Sequence, residues 1–327
     1  MKRRWDVAVV GGLNTDFLVR GRRLPCPGET VDGEQFMEAA GGKGGNQAVA
    51  AARLGAKVGF IGCVGRDAKG ASLVQSLRAE RINVRHIKKS KRAETGAAII
   101  MVGEGGEKQI QVAPGANAFL LPGDLRDAEE MLTNSRVVVL QLEVPMRTVV
   151  RAAQLARKGG AMVILDPAPP TRLPRELLRA VDVIRPNRSE AESLTNVRVK
   201  DISSARKAAY KLLHAGLRLV ATEAGAEGDL LVWKGGDLLL PRLRLRSVDA
   251  TGAGDAFVAA LAVALAYEAS YVQAGIIANA AAALATTKFG AQCSMPRLDE
   301  VIQCLSKTGR RKEATWLKEK DRYYAAS

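Results

Sequence analysis

The sequence predicts an α/β fold in which a doubly wound, mostly parallel sheet is flanked by helices and carries a small β-sheet lid. Three observations predict it. Short runs rich in Val, Ile and Leu alternate with stretches of helical period. Hydrophobic residues make up 47% of the chain but aromatics only 4%, so the interior must be built from Ala, Val, Leu and Ile, as in helices packed on a parallel sheet. Two segments, about 14–40 and 95–113, break the alternation with strand-like patterning and turn residues.

Taken in order, residues 6–10 are an apolar run ending at Gly11-Gly12, a buried first strand that opens onto Leu13-Asn14-Thr15-Asp16. In open α/β sheets, ligands sit at that end of the strands. Residues 17–40, with breakers at Pro25, Pro27, Gly28 and Gly33, read as strands of a small excursion. A helix at 45–54 and a strand at 57–63 follow. Within 95–113, an apolar run at 97–102, the turn Gly103-Glu104-Gly105-Gly106 and a second run at 109–112 signal a hairpin. Two such insertions among βα units would pair into a lid over the main sheet. Residues 137–142, 162–166, 181–185 and 217–222 continue the strand series, and 205–215 has helical period. The α/β domain therefore spans 1–306, and the charged tail 307–327, with Trp316, Tyr323 and Tyr324 interspersed, reads as a peripheral helix.

Charge and cysteines exclude several classes. Lys plus Arg number 49 against 34 Asp plus Glu, a net charge of +15, which invites a nucleic-acid reading. The basic residues are dispersed and no helix-turn-helix, zinc-finger or RNA-recognition signature is present, so no nucleic-acid partner is expected. The positive field suits an anionic small substrate such as a nucleotide. Cys26, Cys63, Cys293 and Cys304 show no paired-ligand spacing and read as reduced thiols. The apolar run 7–10 after Lys2, Arg3 and Arg4 is too short for a signal peptide, and the run 256–267 is too short for a bilayer. A cytoplasmic protein without a membrane partner is expected.

Chemistry concentrates in two motifs. Asp249-Ala250-Thr251-Gly252-Ala253-Gly254-Asp255 runs straight into the small-residue helix 256–262. Its small residues permit a sharp turn that exposes N–H groups at a helix N-terminus, where anionic oxygen is favoured. Asp255 beside such an anion hole suits removal of a hydroxyl proton while charge builds on a transferring phosphoryl group. A plainer reading, a tight turn with a first-turn acid, competes. Gly41-Gly42-Lys43-Gly44-Gly45-Asn46 adds close backbone approach, a cation and an oriented amide. It is neither a Walker A loop nor a dinucleotide fingerprint. His86 and His214 fall outside both motifs and read as surface residues; Asp166 reads as a turn residue and Glu192 as a solvated helix acid.

Together, in this order and separation, the two motifs resemble those of the ribokinase family of sugar kinases, also called PfkB-like carbohydrate kinases. The resemblance covers residues 5–305. Asn14-Thr15-Asp16, Pro27-Gly28-Glu29-Thr30, Gln141-Leu142-Glu143, Asp166-Pro167-Ala168-Pro169, Pro186-Asn187-Arg188-Ser189-Glu190 and Gly290-Ala291-Gln292 resemble the family's ribose kinases in particular. The resemblance implies ATP-dependent phosphorylation of the primary hydroxyl of D-ribose. Alternatives are another furanose-like substrate (2-deoxyribose, fructose, a nucleoside or 2-keto-3-deoxygluconate) or a nonenzymatic nucleotide- or sugar-binding protein.

On the same resemblance, Asn14, Asp16, Gly42, Lys43, Asn46 and Glu143 would hold the sugar, Asp255 would be the base, and Gly252, Ala253 and Gly254 would present N–H groups to the phosphoryl oxygens. Asn187 and Glu190 would organise Mg2+ and phosphate through water. Gly225, Ala226, Gly228 and Asn279 would contact the nucleotide. Glu223 would join them, although the strand end Thr222-Glu223-Ala224-Gly225 departs from the family's usual Thr, apolar residue, Gly. A K+ loop is implied at Asp249, Thr251, Ala285, Lys288, Gly290 and Ser294, and a homodimer through the lid.

Overall fold

The computed structural model describes residues 3–325. In chain order its strands are β1 (Trp5–Val10), β2 (Asn14–Arg20), β3 (Gln35–Gly41), β4 (Val58–Gly65), β5 (Asn83–Ser90), β6 (Gly96–Val102), β7 (Lys108–Ala113), β8 (Ser135–Leu140), β9 (Met162–Leu165), β10 (Val183–Ile184), β11 (Leu219–Glu223), β12 (Gly228–Trp233) and β13 (Gly236–Pro241). One sheet runs β13-β12-β11-β10-β9-β8-β1-β4-β5, and a second runs β3-β2-β6-β7. From β5 to β11 every neighbouring pair is parallel; β11–β12 and β12–β13 are antiparallel.

Alternation along β1 shows why the sheet is covered on both faces. Val7 and Val9 join one core cluster while Ala8 and Val10 join the other, and all four are fully buried. The first cluster is closed by the helices Lys43–Arg53, Ala253–Ala266 and Tyr271–Ala285. Ala253–Ala266 is buried on nearly all sides, which its Ala-rich sequence allows because small side chains let neighbouring helices approach closely. The second cluster is closed by Met146–Lys158 and Ile202–His214 among others.

Strand order grows outward from β1 in both directions, through β4 and β5 on one side and through β8 to β11 on the other. The crevice beyond the C-terminal ends of β1 and β8 is thus a topological switch point, the place where such sheets hold ligands. The four-stranded sheet stands over it. Leu18, Ala98, Ile100 and Val102 form the inner face of this lid, backed by Met37, Ala39 and Phe289.

Three strands in the main sheet escape the sequence reading. Arg85, Lys88 and Lys89 make β5 a polar edge strand without an apolar run. The hairpin β12–β13 pairs Trp233 with Gly236 across Lys234-Gly235, a turn signal that sequence reasoning passed over. Residues 21–34 form loop and turn between β2 and β3 rather than strand. Near the chain end, the helix Arg311–Ala325 buries Ala314 and Leu317 against the first core cluster. The side chains of Tyr323 and Tyr324 lie outside the described set, as do the last two residues of the tail. Of the histidines, His214 is exposed but His86 is half-buried, its pKa lowered by burial and then by Arg85.

Candidate active site

The two glycine motifs meet in the crevice because each begins a helix there. Gly42 ends the return from β3 with φ +84, and a Cβ on it would stand 2.7 Å from the Gly12 carbonyl oxygen, so only glycine fits. Gly252, at φ +81, caps the helix Ala253–Ala266 in the same left-handed region. Asp255 in its first turn is 5% exposed.

Asp255 is held from three directions. Asn46 Nδ2 donates to Oδ2 (2.8 Å), Gln47 Nε2 donates to Oδ1 (3.0 Å), and the Lys43 ammonium lies 3.7 Å from Oδ1. Burial raises its pKa; Lys43 pulls it down and Asp166 pushes it further up. The direction brings a carboxyl toward the range in which it can take a proton at neutral pH. Asp166 is not the turn residue the sequence suggests. It is buried at the end of β9, where Oδ2 accepts from Lys43 Nζ (3.1 Å) and Gln47 Nε2 (2.8 Å). Burial pulls against the charge of Lys43, yet Asp166, Asp255 and Glu143 together hold its ammonium above the usual range.

Around this centre stand the other expected sugar residues. Glu143 Oε2 accepts from the Lys43 backbone N–H (2.8 Å), and Asn14 Oδ1 accepts from Asn117 Nδ2 (2.8 Å). Asn14, Asp16, Gly42, Lys43, Asn46, Glu143 and Asp255 all line one cleft of about 730 Å³, roofed by the lid residues Ala98, Ile100, Ile110 and Val112. Asp16 Oδ1 and Asn46 Oδ1 are buried without a hydrogen-bond partner. Two orphaned acceptors on a cleft wall match a ligand that offers hydroxyl donors. Asp16 is pushed up to about 7 by burial and then by Asp255. Glu143 also reaches about 7, raised by burial and by Asp255 against the opposing pull of Lys43.

A second cavity of about 430 Å³ adjoins the first, lined by Gly228, Asp229, Arg242, Asn279 and the start of the helix Ala253–Ala266 among others. Asn279 Nδ2 donates to the Pro241 carbonyl (2.9 Å). Gly225 and Ala226 form the short turn Gly225–Glu227 beside this cavity rather than lining it, and Gly225 O accepts from Arg242 (3.1 Å). Glu223 lines both cavities and accepts from the Arg188 backbone N–H (3.2 Å). Asn187 and Glu190 close on each other as a reciprocal helix cap, each accepting the other's backbone N–H. Ala253 N–H turns back to the Ala250 carbonyl at 3.3 Å, unlike the outward donor expected of it.

The implied cation ligands spread more widely. Asp249 is buried and its carboxylate accepts from Thr251 N–H, Thr251 Oγ1, Gly290 N–H and the ammonium of Lys108, which reaches across from β7. Burial alone would raise its pKa, but these hydrogen bonds hold it below the usual value. Ser294 is buried and its hydroxyl donates to Ala291 O; Ala285 is the buried C-terminal residue of its helix. Lys288 points away to Glu300 at 2.8 Å. Glu192, half-buried, accepts from the Val199 N–H and is more than a solvated acid. Sequence reasoning missed Gln47, Asn117, Lys108 and Arg185, which touch the site through long-range packing that no local motif marks.

The family model described as pfkB family carbohydrate kinase matches residues 5–298. The chain belongs to this family. The kinase is 40% identical to the ribokinase of Haemophilus influenzae over 302 residues, 92% of this chain and 99% of that protein. It is 34% identical to a deoxyribokinase of Salmonella typhi over 308 residues, again 92% of this chain and 99% of the relative. Among solved structures it is similar to the Arabidopsis thaliana ribokinase complexed with ribose and ATP, with a TM-score of 0.85 and 32% identity, covering 93% of this chain and 99% of that one. The kinase thus has the ribokinase-like fold, with a large, mostly parallel sheet and a separate small lid sheet. Among its described residues, no helix is long and apolar enough to cross a membrane.

Proposed function

We propose that the chain is a ribokinase, which transfers the γ-phosphoryl group of ATP to the primary hydroxyl of D-ribose and releases D-ribose 5-phosphate and ADP. The observation that carries this is the seating of a buried, raised-pKa Asp255 at a helix N-terminus, facing a cleft wall with unsatisfied Asp16 and Asn46 acceptors. Similarity to a ribokinase that binds ribose and ATP supports the choice of ligands.

In this reading the sugar lies in the larger cleft, its ring hydroxyls donating to Asp16 and Asn46 and its primary hydroxyl aimed at Asp255. ATP occupies the adjoining cavity with Gly228 and Asn279 along its length. Asp255 takes the hydroxyl proton as the oxygen attacks phosphorus in line, and the helix N-terminus at Gly252 and Gly254 stabilises the charge that builds. Lys43 balances the carboxylates on the acceptor side.

Among the described residues, no group of three or more His, Cys, Asp or Glu is arranged to hold a metal. This donor set fits a Mg2+ carried in on the nucleotide phosphates, with Glu190 and Asn187 reached through water, since Mg2+ keeps several waters. When bound, Mg2+ supplies charge neutralisation. A monovalent K+ would lie beside Asp249 and nearby carbonyl oxygens, sharing that carboxylate with Lys108. The outer lid face exposes Phe36 (65%), Ile99 (46%) and Val19 (36%), the apolar surface through which we propose two copies pair in the cytoplasm.

ADP release, measured with ATP, Mg2+ and K+ across D-ribose, 2-deoxyribose, D-fructose, adenosine and 2-keto-3-deoxygluconate, tests the reading. Strong preference for ribose is expected. A preference for 2-deoxyribose would replace ribose with the second substrate that the Salmonella relative suggests.

A further inference from the structure

We propose that Arg185 is a further catalytic residue of this kinase, gripping the γ-phosphoryl group as it crosses from donor to acceptor. The inference rests on the assignment of the two cavities to ATP and sugar.

Position comes first. The two cavities share four lining residues, Arg185, Glu223, Ala250 and Gly254. The transferring group must pass where the cavities join, and of these four only Arg185 carries positive charge. Restraint comes second. The Arg185 side chain is 10% exposed; Nη2 lies 3.3 Å from Asp229 Oδ1 and 3.8 Å from Glu223 Oε1. Its guanidinium sits over the Phe257 ring at 5.2 Å, so it is stacked on the helix whose N-terminus forms the anion hole. A Cβ on Gly254 would stand 3.1 Å from Nη1, so the guanidinium lies against that first turn.

The third observation points to a ligand. Arg185 Nε is buried and has no hydrogen-bond partner. Guanidinium presents five donors in a rigid fork suited to phosphate. Charge-assisted N–H···O bonds close to about 2.7–2.9 Å, so contacts at 3.3 and 3.8 Å to Asp229 and Glu223 aim the fork without saturating it. On the acceptor side, Lys43 is committed to Asp166 and Asp255. That leaves Arg185 as the side-chain cation at the junction itself.

In the transfer, the sugar oxygen forms its bond to γ-phosphorus as the bond from phosphorus to the β,γ-bridging oxygen breaks. That oxygen leaves with its electron pair on ADP, and the hydroxyl proton passes to Asp255. Arg185 donates hydrogen bonds to nonbridging γ-oxygens throughout and forms no covalent bond.

The test uses the full chain as wild type, Arg185→Gln, Arg185→Lys and Asp229→Asn. It reads kcat, both KM values, the unfolding midpoint, and calorimetric binding of ATP and ADP without sugar. Arg185→Gln is expected to lower kcat by about 10²–10³, the scale of losing one preorganised donor to transition-state charge. It should also erase any preference for ATP over ADP and leave the ribose KM within about threefold. Arg185→Lys, which keeps the charge and loses the fork, should fold and still lose about tenfold in kcat. Asp229→Asn, which keeps the shape and an acceptor oxygen beside Nη2, should retain kcat within about tenfold. Wild-type kcat in Arg185→Lys overturns the proposal even if Arg185→Gln does not fold. So does an Asp229→Asn loss equal to that of Arg185→Gln, which would mark a structural ion pair. If the wild type phosphorylates no sugar on the panel, the functional reading fails, while the sugar-free comparison of ATP with ADP still judges Arg185.

Discussion

The proposed acceptor and donor halves of the crevice are built differently. On the acceptor side, Asn46, Gln47, Lys43, Asp166 and Asp255 are tied to one another within a buried network, set at the ends of parallel strands and the starts of two helices. The donor side is a trough between the antiparallel edge β12–β13 and the helix Tyr271–Ala285, where Asn279 and Arg242 are bonded to backbone carbonyls. A network of charges in low dielectric fixes chemistry, because each member loses much when a partner is removed. Away from Arg185 at the junction, a trough whose polar groups are bonded to carbonyls fixes only position. Mutations on the two sides should therefore separate into losses of turnover and losses of binding.

The largest expected effect is Asp255→Asn, which keeps shape and removes the proposed base. It should lower kcat by about 10²–10⁴ with ribose binding largely intact; near-wild-type turnover in steady-state assays would remove the base assignment.

A second comparison follows from pH. Folded Asp16 and Glu143 sit at about 7, well above the ordinary carboxyl range. The folded state therefore holds protons that the unfolded chain has released. Their contribution to stability grows as pH falls from 8 toward 5 and is lost as pH rises through 7. Activity should run the other way, falling on acidification as Asp255 becomes protonated. Unfolding midpoints of the free enzyme at pH 5.5 and 8, compared with those of Asp16→Asn, check the sign; an unchanged slope in the variant would refute it.

The smallest effect belongs to the donor side. Asn279→Ala removes one bond to Pro241 O and should raise the KM for ATP several-fold while kcat stays within about twofold. A fall in kcat matching that of Asp255→Asn would erase the distinction between the two halves.

The same division governs what was legible in the sequence. Apolar strands β1, β4, β8 and β9 and both glycine motifs were readable, because a buried parallel strand needs a continuous aliphatic run and a left-handed turn needs glycine. Strands β5, β12 and β13 were not, since one relies on charged side chains and the others on a hairpin signal outside the expected βα rhythm. Asp166 looked like a turn residue because its partners Lys43 and Gln47 lie more than a hundred residues away in sequence. Arg185 and Lys108 were invisible for the same reason. Local patterns announce backbone geometry, whereas charge pairing across the fold becomes apparent only when the strand ends converge.

The lid has one more consequence. β2 leaves the end of β1 and carries Asn14 and Asp16 with it, so part of the wall of the proposed sugar pocket belongs to the lid sheet and the remainder to the main domain. In the proposed seating, a furanose would donate to Asp16 on the lid sheet and to Asn46 on the main domain, so its own hydroxyls would join the two parts of the pocket. On that proposal, recognition of the acceptor would be divided between two sheets, a consequence of where one strand begins.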